Sequence, residues 1–123
     1  MTATRVRTLM LALALVFAVM GIVQAARPDA EQKKIDYLIA ELQRLDGATF
    51  IRNGSEYSAA KAADHLRTKL RHAGDRIQTA RQFIDELGTK SSMSGETYRI
   101  RFDDGRVLDS AQVLNDRLLH YKP

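Results

Sequence analysis

The chain has 123 residues, no cysteine, and 19 Lys and Arg against 15 Asp and Glu, a formal charge of +4. Without the two arginines of its first 25 residues the balance is 17 against 15, or +2, too small an excess to argue for nucleic acid. The length leaves no room for a second domain, and with no disulfide available stability has to come from packing.

Residues 1–25 read as a cleavable signal peptide. Arg5 and Arg7 precede an apolar run from Leu9 to Val23, and Val23-Gln24-Ala25 supplies the small residues of a processing site. A membrane-spanning helix needs about 20 apolar residues, and this run is shorter. Arg5 and Arg7 are not adjacent, which argues against a twin-arginine route. The expected product is a single small domain, residues 26–123, periplasmic or secreted, with no stable transmembrane anchor after cleavage.

Ala26 to Ala30, with Pro28, reads as a short disordered lead-in. Ile35, Leu38, Ile39, Leu42 and Leu45 follow the 3.6-residue period of an amphipathic helix, ended by Asp46-Gly47, whose glycine suits the left-handed C′ position. Thr49 to Arg52 is a short β-prone stretch, and Asn53-Gly54 is a hairpin turn signal before Ser55-Glu56-Tyr57. Ser58 can cap a second helix with Ala59, Ala62, Ala63, Leu66, Leu70 and Ala73 inward. Gly74-Asp75 breaks it, and Ile77, Ala80, Phe83, Ile84 and Leu87 carry a third apolar face until Gly88.

Thr89 to Gly95 is a polar loop. Tyr98-Arg99-Ile100-Arg101-Phe102 then alternates as a strand, its apolar residues on one face and its arginines on the other. Asp104-Gly105 offers a two-residue hairpin turn into Arg106-Val107-Leu108. Asp109-Ser110 forms a capping pair for a last helix carrying Ala111, Val113, Leu114, Leu118 and Tyr121. The fold class expected is α+β: a mainly helical single domain of about four helices with a small antiparallel sheet or hairpin.

Three motifs carry a resemblance. Asn53-Gly54-Ser55-Glu56-Tyr57 follows Phe50-Ile51-Arg52, His65-Leu66-Arg67-Thr68-Lys69 lies on the second helix, and Ser91-Ser92-Met93-Ser94-Gly95-Glu96-Thr97-Tyr98 leads into the later strand. With Phe83-Ile84 they span nearly the whole mature chain, which resembles an uncharacterised family of small exported bacterial proteins, the YfeK-like domain of unknown function. No activity, cofactor or substrate comes with the resemblance. Many of those relatives carry cysteines where this chain has Ala48 and Phe102. If those cysteines pair, the resemblance implies that the strand near Phe50 lies beside the strand ending at Phe102, since bridged α-carbons lie within about 7 Å.

No complete catalytic set is present. Ser58-Ala59-Ala60-Lys61 matches a Ser-x-x-Lys motif of penicillin-binding enzymes, yet its companion motifs are absent and a helix cap explains the serine. His65 and His72 lie about 10.5 Å apart along a helix, too far to share one metal ion, and His120 has no partner at ligand spacing. No metal and no cofactor are expected. His65 and Lys69 share a helix flank with Ser58, Lys61 and His72, in a segment where Lys61, Arg67, Lys69 and Arg71 face Asp64 alone. Such a stripe is either a solvated face or an anion-binding flank.

The Ser91 to Gly95 loop can either converge backbone N–H groups on an anion or satisfy its own turn. The residues that packing does not obviously require are His65, Lys69, Ser91, Ser92, Ser94 and Asn53, and if they converge they form one polar, non-catalytic binding site. The function expected is therefore a non-enzymatic binding or interaction protein of the cell envelope, its partner an anionic envelope component or an acidic protein rather than nucleic acid. The alternative is a small envelope hydrolase or accessory enzyme using the serine loop and His65, which requires a loop serine within about 3.2 Å of His65 and a carboxylate behind the ring.

Overall fold

A computed structural model describes residues 25–123. The leader expected over residues 1–25 lies, apart from Ala25, outside the described residues. Helix α1 (Asp29–Gln43) starts directly after Pro28, whose carbonyl accepts from the N–H groups of Glu31 and Gln32 at 3.0 Å each. Asp29 and Glu31 sit in its first turn, where the helix dipole favours negative charge. The lead-in is shorter than the sequence suggests and is tied down. Arg27 donates from Nε to the carbonyl of Ile77 at 2.6 Å and from Nη2 to that of Gly74 at 2.9 Å. Gly47 does take the left-handed conformation, with φ +72°, but three residues beyond the helix cap Arg44.

The hairpin β1 (Thr49–Arg52) and β2 (Ser55–Tyr57) turns through Asn53 and Gly54, whose φ values of 51° and 75° are those of a type I′ turn. Ser58 caps α2 (Ala59–Ala73), accepting from the N–H of Lys61 at 3.2 Å. Gly74–Arg76 forms one 3₁₀ turn. The third helix starts later than its apolar period implies: Ile77 is buried in the extended connection, and Thr79 and Gln82 form a capping box at the start of α3 (Ala80–Gln82). This helix runs on as a π-helix, Phe83–Gly88, ending so close to the last helix that a Cβ on Gly88 would lie 2.6 Å from Leu114 Cδ1.

Strands β3 (Arg99–Arg101) and β4 (Val107–Asp109) complete a four-stranded antiparallel sheet in the order β2-β1-β3-β4. Their loop has three residues rather than two: Phe102 N–H donates to the Arg106 carbonyl and Gly105 N–H to that of Phe102, both at 2.9 Å, with Gly105 at φ +87°. Helix α4 (Ser110–Leu119) follows, but Asp109 does not cap it with its side chain. Its carboxylate instead lies 3.8 Å from Arg99 Nε. Tyr121 falls beyond the helix and its ring packs on Tyr37, 5.1 Å between centroids. The fold class is as expected, α+β with four helices and one antiparallel sheet among the described residues. None of these helices is long and apolar enough to cross a membrane.

Register explains where the core sits. Tyr57 pairs with Phe50, Phe50 with Ile100, and Ile100 with Leu108, so one apolar row crosses all four strands. Phe50 and Ile100 in this row are buried, together with Ile35, Leu38 and Leu42 of α1 and Ala63 and Leu66 of α2. Arg101 and Arg99 belong to the other face, where Arg101 pairs with Glu56 at 2.7 Å. The same register, one residue past Thr49 and Arg101, sets Ala48 opposite Phe102. Both are half-buried against the core.

A polar row under the second helix

Side chains two residues apart on a strand share a face, so the row next to Phe50 and Ile100 also faces the helices. It is Ser55, Arg52, Tyr98 and Ser110: Arg52 pairs with Ser55, and Ser110 N–H donates to the Tyr98 carbonyl at 2.8 Å. An arginine thus sits on the helix side of the sheet. Helix α2 crosses above it and presents His65 and Lys69, one turn apart.

Nη1 of Arg52 lies at the edge of the His65 ring, 3.1 Å from Nδ1 and in contact with Nε2. Guanidinium is always protonated and can only donate, so the imidazole here is a neutral acceptor. Its pKa is held below the ordinary 6.5, first by burial, then by the charges of Arg52 and Lys69. The guanidinium also lies over the Tyr57 ring, 5.3 Å from its centroid. Its Nε is shielded from water and has no hydrogen-bond partner, one of two such side-chain atoms among the described residues.

Lys69 is largely committed. Nζ donates to the Leu87 carbonyl at 2.8 Å and to Tyr98 Oη at 3.1 Å, and lies 4.9 Å from the centre of the Tyr98 ring. It closes the end of the π-helix and joins it to α2 and the sheet. Neither Arg52, Lys61 nor Lys69 has a carboxylate within 4.0 Å among the described residues. Beside Arg52 and His65 opens a cavity of about 240 Å³ whose apolar wall includes Leu42, Phe50, Tyr57, Ala62 and Leu66.

The remaining candidates gather next door, at the β1–β2 turn. Asn53 donates from Nδ2 to Ser91 Oγ at 3.2 Å, and Ser94 Oγ donates to Asn53 Oδ1. Ser91 is buried, and its Oγ also accepts from the N–H groups of Met93 at 3.3 Å and Ser94 at 3.4 Å. Ser92 is exposed and stands apart. Five of the six candidates therefore form two neighbouring groups joined through the Arg52-Asn53 bond: His65 and Lys69 with Arg52 and Tyr98, and Asn53 with Ser91 and Ser94. The partner of His65 is Arg52, not a serine.

Arg52 is the member the sequence reading missed. The signal was available, since Arg52 follows Phe50 by two and must share its face. Among the described residues no three histidine, aspartate or glutamate side chains come together as a metal site.

Residues 29–122 match the family model described as "Family of unknown function (DUF5329)", and the chain belongs to that family. It is similar to "Uncharacterized protein YfeK" of Salmonella typhimurium, 38% identical over 68 residues. The match covers 55% of this chain and 57% of that protein, so it spans little more than half of the relative's length. No solved structure matches.

Proposed function

We propose that this protein is a non-enzymatic binding protein of the bacterial cell envelope, working in the periplasm or outside the cell, and that its cavity under α2 receives an anionic group. The observation that carries the reading is Arg52: a permanent cation on the helix side of the sheet, beside a cavity, with no carboxylate within 4.0 Å and one N–H without a partner among the described residues. Arg52 is half-buried with its Nε shielded from water; a partly desolvated charge without a counter-ion is unfavourable, and an anion arriving from outside would offset that cost. The leader reading supplies the compartment, where anionic envelope components and acidic protein surfaces are the available partners.

Hydrolase chemistry has less support. His65 is occupied by Arg52 rather than by a nucleophile, and Ser91 is engaged by Asn53 and two backbone N–H groups. The test is NMR shift mapping of the purified protein with acetate and inorganic phosphate as probes. Saturable changes at His65, Tyr98 and Arg52 that disappear in Arg52→Gln are expected. Changes that persist in the variant, or none for any anion, would contradict the proposal.

A further inference from the structure

We infer that the group received under α2 is the carboxylate of a small acid with an apolar body, its head on Arg52 and its body against Phe50, Leu66 and the Tyr57 ring. This rests on the anion-binding reading and narrows it to one ligand class. Three features of the cavity select that class.

The first is size. Pockets for drug-sized ligands run from about 300 to 1,000 Å³, and this one measures about 240 Å³, so the occupant is smaller. The second is the wall. Leu42, Phe50 and Leu66 are buried apolar side chains, and Ala62 leaves room in front of them. A hydrated inorganic ion gains nothing from such a surface, whereas an alkyl or aryl body is drawn to it.

The third is the head-group geometry. Nη1 of Arg52 is taken by His65 and Nε is closed off from water, which leaves Nη2 as the guanidinium donor open to an occupant. A charge-assisted N–H of this kind is a donor that a carboxylate oxygen accepts. Lys69 already donates to Leu87 and Tyr98, and His65 is a neutral acceptor, so Arg52 is the cation left to receive a head group beside the apolar wall. Lys61 borders the cavity from an exposed position and favours the approach of an acid.

Calorimetric titration of the purified protein with hexanoate tests this, with hexan-1-ol and inorganic phosphate as comparison probes. Saturable hexanoate binding is expected, with no detectable binding of the alcohol. Arg52→Gln should weaken hexanoate roughly tenfold or more, and Ala62→Phe, which fills the cavity and leaves Arg52 in place, should abolish it. Circular dichroism establishes that each variant folds. Should Arg52→Gln fail to fold, Arg52→Lys, which keeps the charge and loses the Nη2 donor, should show the same weakening. Phosphate binding without hexanoate binding would overturn the ligand class and leave the anion site standing, whereas binding of neither would overturn both. Alcohol binding as tight as hexanoate would overturn the pairing with Arg52.

Discussion

Arg52 and His65, thirteen residues apart in the chain, meet across the gap between β1 and α2 with a guanidinium nitrogen against the imidazole edge. Two groups that can both carry positive charge are compatible there only while the ring is neutral. The contact therefore fixes the protonation state of His65 and links the site to pH.

The sign of that link follows from the depressed pKa of His65. The folded protein binds this proton less readily than the unfolded chain, so the full contribution to stability is present above the unfolded value of 6.5 and is lost as pH falls through it toward the lower folded pKa. Urea unfolding at about pH 7.5 and at successively lower pH should show this decline, and His65→Gln should flatten it in that window. An identical pH profile in the variant would contradict the linkage.

Lys69 joins three elements through Nζ, to Leu87 at 2.8 Å and Tyr98 at 3.1 Å. Lys69→Ala is expected to cost about 1–3 kcal/mol, because a charged donor leaves a buried carbonyl without its partner. Tyr98→Phe, which removes the hydroxyl alone, should cost about 1 kcal/mol. Equal, negligible changes in the denaturation midpoints would mean that Lys69 is a solvated surface lysine.

The sheet register makes a graded prediction. Ile100 is fully buried, Phe102 is half-buried with Arg106 over its ring at 5.3 Å, and Arg101 is in a partly exposed ion pair with Glu56. Ile100→Ala should cost about 2–5 kcal/mol, Phe102→Ala less, and Arg101→Ala about 0–1 kcal/mol. Chemical denaturation that ranks Arg101→Ala above Ile100→Ala would reverse the assigned faces.

Much of this fold was legible in the sequence because it obeys two short periods. Ile35, Leu38, Ile39 and Leu42 mark the buried stripe of α1, the Asn53-Gly54 turn sets the first hairpin, and the alternation around Ile100 sets the sheet faces. What escaped depends on contacts distant in sequence. Arg27 is ordered by carbonyls at Gly74 and Ile77, about fifty residues away, so composition alone read its segment as disordered. Asp109 has the residue type of a helix cap, but Arg99 on the neighbouring strand draws its carboxylate across the sheet. The site was half legible. The polar motifs marked His65 and Lys69, while Arg52 looked like the edge of a turn until the Phe50–Ile100 pairing turned its row toward α2.

The compartment has its own test. Mass spectrometry of the exported product should show loss of about 25 residues, with a new N-terminus near Ala26. Recovery of the full-length chain in the membrane fraction would place the binding reading in a different setting and remove its periplasmic partners.

The most direct measurement is an NMR titration of the His65 imidazole without an anion and with saturating hexanoate or inorganic phosphate. An anion seated on Arg52 offsets the positive field on the ring and favours its charged form. The pKa of His65, which lines the cavity, should therefore rise when the site is filled. A His65 pKa that stays the same with the anion bound would contradict the site under α2.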